Sequence, residues 1–162
     1  MASRVPEELS AVEQEVIAEI RALRASKDNV VHSSLLDDPV RLMHHFIVTS
    51  HGHVALRVAP IARELGVEMK TLQRNFVSAY KKTPIQCQVD VRLAFSKLLL
   101  STFPPTKVSA IASMLGYKEV RDFNRCFRKR MHQRPSEWGR NERERIERAL
   151  AANSGDRETK RS

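Results

Sequence analysis

The strongest constraint on how this 162-residue chain folds is an internal repeat. Residues 58–76 read VAPIARELGVEMKTLQRNF, and residues 108–127 read VSAIASMLGYKEVRDFNRCF. Val58/Val108, Ile61/Ile111, Ala62/Ala112, Leu65/Leu115 and Gly66/Gly116 match at an offset of 50. After one extra residue in the second turn, Leu72/Phe123, Arg74/Arg125 and Phe76/Phe127 match at an offset of 51. Each copy predicts a helix, a turn entered through glycine, and a second helix, which is the layout of a helix-turn-helix. A single helical hairpin is common in all-α chains; two copies with matched core and outward positions point to a duplicated unit.

The rest of the chain agrees with an all-α fold of two helix-turn-helix subdomains joined by a long linker helix, with an N-terminal helical extension. Glycine is scarce, period-2 runs are missing, and apolar residues recur at three and four positions. Residues 6–25 predict a helix with Val12, Val16, Ile20 and Leu23 on one stripe, and residues 26–37 a linker. Asp38-Pro39 reads as a capped helix start, followed by Val40, Met43, Phe46 and Ile47 facing inward. Thr83-Pro84 repeats that signal for a longer helix carrying Ile85, Val89, Leu93 and Leu99, which Thr102-Phe103-Pro104-Pro105 stops. The last helix starts near Pro135-Ser136 and holds Trp138, with Arg143/Glu147 and Glu144/Arg148 as i,i+4 pairs on a solvated face. The polar ending SGDRETKRS reads as a disordered tail. The division expected is 1–37, 38–140 and 141–162, with helix-turn-helix units at about 57–80 and 107–131 and the linker helix at about 83–101.

Charge gives the repeat a partner. The net charge is +9, yet residues 1–56 carry −3 and residues 57–148 carry +11, so the excess sits on the duplicated unit. That is the footprint of a nucleic-acid-binding face. At 100° per residue, Met69, Leu72 and Phe76 face the core of the first unit, leaving Lys70, Thr71 and Arg74 outward and Gln73 on the flank. In the second, Val120, Phe123 and Phe127 face in, leaving Arg121, Asp122 and Arg125 outward and Asn124 on the flank. Arginine bonds guanine bidentately, and Gln or Asn does the same with adenine, so these eight are the base-contact candidates. Arg128, Lys129 and Arg130, with Lys81 and Lys82, are candidates for phosphates. A connecting helix of about 17 residues spans roughly 25 Å, which lets one chain bring two recognition helices near the ~34 Å repeat of the major groove. A monomer on DNA is therefore expected, with residues 6–25 as the available dimer surface.

From about Asp38 to Arg140 the chain resembles the DNA-binding domain of the AraC/XylS family of bacterial transcription regulators. The resemblance rests on IARELG and LQRNF, on TPIQCQVDVRLAFSKLLL in the connecting helix, on IASMLGY and FNRCF, and on the closing RPSEWGR. It implies a seven-helix fold of two subdomains joined by a linker helix, binding double-stranded promoter DNA; RNA polymerase is a candidate further partner. It also implies that Lys70, Gln73, Arg74, Arg121, Asn124 and Arg125 face the groove. Arg92 matches an arginine common in the linker helix and joins the phosphate candidates. Where the family usually has glycine before each proline, this chain has Lys81 and His132; where it often has a capping serine, this chain has Glu68, and Lys118-Glu119 opens the second recognition helix. Intact helices with altered starts are expected. The 37 residues before Asp38 are too few for a β-barrel sensor, so the chain resembles the short standalone members.

Other functions find less support in the residues. His44, His45, His51 and His53, with His32, lack the companion cysteines or acids of a familiar metal site, and no metal or cofactor is expected. Cys87 and Cys126 read as thiols on helices, without a base that would make a nucleophile. No membrane span or targeting segment is evident, and a cytoplasmic location and no enzymatic activity are expected. The competing reading is a protein of the same fold that binds another regulator or RNA polymerase and has only non-specific affinity for DNA, motivated by Asp122 and the altered turns.

Overall fold

The computed structural model describes residues 8–26 and 36–159. Eight helices and no strands occur among them: α1 (Ala11–Ala25), α2 (Pro39–Thr49), α3 (Val58–Leu65), α4 (Met69–Tyr80), α5 (Pro84–Leu100), α6 (Val108–Met114), α7 (Val120–Met131) and α8 (Pro135–Thr159). None is long and apolar enough to cross a membrane. The chain divides within α5 into unit 1, residues 1–92, and unit 2, residues 93–162.

The expected helix starts are present and use the expected chemistry. Asp38 accepts a hydrogen bond from the Arg41 amide ahead of Pro39. Thr83 accepts from the Gln86 amide while the Gln86 side chain accepts from the Thr83 amide, a reciprocal cap that places Pro84 in the first turn of α5. The N-terminal helix is shorter than expected: Ser10 and Glu13 form the same kind of box and start α1 at Ala11. Pro6 and Glu7, like His32 and most of the expected linker, lie outside the described residues. The end of the described chain also differs, since α8 runs on to Thr159, into the segment expected to be a disordered tail, whose residues 160–162 lie outside the described residues. The expected i,i+4 pairs of α8 give way to Glu142–Arg145 at i,i+3, while Arg143 turns to the Leu100 carbonyl.

In unit 1, α2, α3 and α4 surround a core of Leu42, Met43, Phe46, Ile47, Ile61, Leu72 and Phe76. The stripe of α1 joins it: Val16, Ile17 and Ile20 are buried, and Val12 and Leu23 pack at the margin. This apolar face is thus covered within unit 1. Polar ties fix α1 further. Arg21 and Arg24 both reach the Glu64 carboxylate on α3. Glu13 is fully buried and accepts from the Ser10 amide and from the Arg57 amide, Nε and guanidinium nitrogen, at 2.7–3.0 Å. Burial pushes its carboxyl pKa up, but the Arg57 side chain and the two amides outweigh that and hold it below the ordinary value of 4.5.

Unit 2 has a smaller core of Leu100, Ile111, Ala112, Leu115, Phe123 and Phe127, on which Tyr117 and Trp138 pack. Aromatic rings in offset and edge contact run from Tyr117 through Phe123 and Phe127 to Trp138. The repeat extends beyond its sequence match: at the same offset of 51, Pro84 of α5 corresponds to Pro135 of α8, and Arg92 to Arg143. Each arginine donates to a backbone carbonyl at or just past the end of the helix that leads into its helix-turn-helix, Arg92 to Gly52 after α2 and Arg143 to Leu100 of α5. Each unit is therefore a helix-turn-helix clamped by a following helix, and α5 closes unit 1 with its first half and opens unit 2 with its second.

Candidate nucleic-acid interface

The turns set the recognition helices. Gly66 ends α3 in the left-handed conformation, and Gly116 likewise has positive φ between α6 and α7. Leu72 and Phe76 anchor α4, and Phe123 and Phe127 anchor α7, as the repeat requires. Glu68 and Glu119 stand at the N-caps, and neither side chain accepts an amide bond; the Glu68 carboxylate accepts from the Thr71 hydroxyl at 3.0 Å instead. The helices form with altered starts, as expected. At the opposite ends, Lys81 and His132 occupy left-handed backbone at φ 58° and 56°, where glycine is strain-free.

Met69 and Val120 depart from the expected pattern. Periodicity points both inward, yet they are 39% and 37% exposed. As the first residues of their helices they stand one turn ahead of the first packed side chain, Leu72 or Phe123, so helical periodicity continues where the core has ended. Repeat equivalence could have flagged them, since they are the only apolar pair sharing the leading position of both helices.

The outward residues lie where periodicity puts them. Lys70 and Arg74 are exposed on α4, with Thr71 and Gln73 half-buried beside them. On α7, Arg121 and Arg125 are exposed, with Asp122 and Asn124 half-buried. Arg125 donates to Asp122 at 3.0 Å across one turn. An open groove of about 900 Å³ in unit 2 is lined by Val108, Val120, Asn124 and a cationic rim of Arg121, Arg125, Arg128, Lys129 and Arg134. Unit 1 has the equivalent groove, about 400 Å³, in which Val58, Met69, Gln73 and Ile85 correspond to Val108, Val120, Asn124 and Ser136. Its remaining wall is largely apolar, with Val54, Leu56, Ala59 and Val89 beside Gln88, Arg57 and Arg92.

The phosphate candidates divide. Arg128, Lys129 and Arg130 are exposed on the second half of α7. Their equivalents on α4 are Val77, Ser78 and Ala79, so unit 1 lacks that cationic run. Lys82 pairs with Asp90 at 2.7 Å and Lys81 donates to the Ser78 carbonyl. Arg92, expected to face phosphate, is half-buried and its Nε donates to the Gly52 carbonyl at 2.7 Å. It ties α5 to the loop before α3.

His44 and His53 serve the fold of unit 1. His44 stacks on Tyr80 at 4.3 Å, and burial, then the charges of Lys82 and His45, keep its pKa below the ordinary 6.5. His53 accepts from the Ala55 amide at Nδ1. Among the described residues, no three potential metal ligands converge. Cys87 is buried, which raises its thiol pKa and disfavours a nucleophilic thiolate.

A family model described as a helix-turn-helix domain matches residues 61–141, half of the chain. Among solved structures, the C-terminal domain of AraT, a response regulator from Geobacillus stearothermophilus, is 22% identical, with 64% of this chain and 84% of that one covered at a TM-score of 0.58. The DNA-binding domain of AdpA, a global transcriptional factor solved in complex with a target DNA, is 20% identical over 67% of this chain and 96% of its own, at 0.59. A probable AraC family transcriptional regulator from Rhodopseudomonas palustris CGA009 is 24% identical over 65% of this chain and 97% of its own, at 0.53. At these identities the likeness is one of fold. No curated protein matches the chain at a significant level.

Proposed function

The chain belongs to the AraC-type helix-turn-helix domain family, and from that premise we propose that it is a sequence-specific regulator of transcription that inserts α4 and α7 into successive major grooves of promoter DNA. The observation that carries this reading is the equivalence of Arg74 and Arg125. Two side chains able to bond guanine bidentately are exposed at the same position of duplicated recognition helices, each directly preceded by an amide, Gln73 or Asn124. In this reading Lys70, Arg74, Arg121 and Arg125 contact bases, Thr71 and Asp122 fix their neighbours, and Arg128, Lys129 and Arg130 neutralise phosphates. Glu68 and Glu119 lie at helix N-termini that would otherwise favour phosphate, which leaves the cationic rim of unit 2 to supply most of the electrostatic attraction. Burial of the α1 stripe in unit 1 supports action as a monomer.

Selection from random duplex DNA with the purified protein tests the proposal. A recurrent motif of two half-elements about one helical turn apart is the expected result. Binding that is salt-sensitive but indifferent to sequence would reject it. That outcome would favour a protein that uses this fold to contact another regulator or RNA polymerase.

A further inference from the structure

The two equivalent grooves are built from matching positions and lined with different chemistry. In unit 2 five cations rim the groove, and Val120 is surrounded by them. In unit 1 the only cations on the groove wall are Arg57 and Arg92, and both turn into the protein, Arg57 to buried Glu13 and Arg92 to the Gly52 carbonyl. What remains facing outward is Met69 at the head of the recognition helix, continued by Val54, 41% exposed, and Ile85, 61% exposed. Gln73 stands in the same groove as its principal polar group from α4. An exposed apolar side chain at the leading end of a recognition helix, next to an amide, has one complementary feature in the major groove. That feature is the 5-methyl group of thymine, adjacent to the adenine edge that Gln bonds bidentately.

Resting on the DNA-reading proposal above, we infer that the half-elements are held by different means: unit 1 adds thymine selection through methyl contact with Met69, and unit 2 adds to its arginine base contacts a larger share of phosphate contacts. Burying one methyl group gives a small but measurable preference, roughly fourfold in affinity. Because no counterion is released by such a contact, the preference is independent of salt. In unit 2 each phosphate contact contributes to the salt dependence instead, and the slope of log K against log salt falls by about 1 for each one removed.

Replacing thymine by uracil in the selected DNA isolates the methyl group without touching any hydrogen bond. The unit 1 half-element is the one whose preference relaxes in Arg74→Ala. Uracil there is expected to weaken binding roughly fourfold at a contacted position with the salt slope unchanged, and Met69→Ala is expected to bind the thymine and uracil duplexes alike. Since Met69 is exposed, the variant keeps its fold, and Met69→Leu restores the preference. A bipartite motif that lacks thymine in this half-element, or equal binding of the two duplexes by the unaltered protein, overturns the inference and leaves DNA reading intact. Failure to select any motif overturns both.

Discussion

In unit 1 the two arginines on the groove wall turn inward, and in unit 2 the equivalent groove is rimmed by outward cations at other positions of the frame. Arg57 and Arg92 satisfy a buried carboxylate and a backbone carbonyl, whereas Arg128, Lys129 and Arg134 face outward. The cores differ in the same sense. Unit 1 has the larger core and is braced by α1 through Glu13 and through Arg21 and Arg24 on Glu64; unit 2 has six fully buried apolar side chains and a run of aromatic rings. The close approach that seats the following helix is made in both units, but with glycine on opposite partners. Gly52 sits against the backbone of Gln88 and Arg92 in unit 1, while Gly139 on α8 sits against Leu100 in unit 2. Duplication preserved the frame and left each copy to distribute rigidity and charge separately.

The largest expected effect is at these glycines. A Cβ at Gly52 falls on the Gln88 carbonyl oxygen with the Arg92 nitrogen at 2.8 Å, in a backbone of φ +66°. Gly52→Ala should cost more than ~4 kcal/mol, read by urea denaturation with circular dichroism. At Gly139 the nearest atom is the Leu100 oxygen at 2.9 Å and the Arg143 guanidinium can move, so Gly139→Ala should cost about 1–3 kcal/mol. Equal losses would erase the distinction between the two seats.

Next comes the brace. Glu13→Ala leaves Arg57 and two amides without their acceptor and should cost about 3 kcal/mol, with no counterpart in unit 2. Because the folded-state pKa of Glu13 lies below its unfolded value, the carboxylate stabilises unit 1 above about pH 4.5, and that contribution is lost as pH falls through the folded-state value. Urea midpoints across this range should fall less steeply in Glu13→Gln than in the unaltered protein. An unchanged acid profile would remove the brace from the comparison.

On DNA, Arg74→Ala and Arg125→Ala should each weaken specific binding by about 1–3 kcal/mol and relax preference at separate half-elements in fluorescence anisotropy titrations. Equal losses on random and selected duplexes would reassign both arginines to phosphate. The smallest effects are at the caps, where the units agree. Lys81→Gly and His132→Gly should each stabilise by about 0.5–1 kcal/mol in thermal unfolding, since both relieve left-handed backbone. A gain at only one of them would show that the caps have diverged too.

The duplicated frame was legible because it depends on local signals. Asp38-Pro39 and Thr83-Pro84 announce their helices, Leu72/Phe123 and Phe76/Phe127 repeat the core, and Arg74 and Arg125 stand out at the same register. What escaped depends on contacts distant in sequence. Glu13 is a charged residue on a helix face, a position that reads as solvated; only Arg57, 44 residues on, makes its burial tolerable. Arg92 reads as an outward cation until Gly52 supplies an acceptor beneath it. Met69 and Val120 obey the apolar period but line open grooves beyond the packed core, and α8 carries helical backbone to Thr159, into a segment whose composition suggests a tail.

Trp138 is the only tryptophan in the chain, and it sits at the end of the unit 2 aromatic run, 6.2 Å from Phe127 and with the Lys97 ammonium 5.5 Å from its ring centre. The molecule therefore carries an intrinsic optical label on one of its two copies. Its emission reports on the core behind α7, so unfolding or DNA engagement can be timed in unit 2, in the unmodified protein and without an added dye.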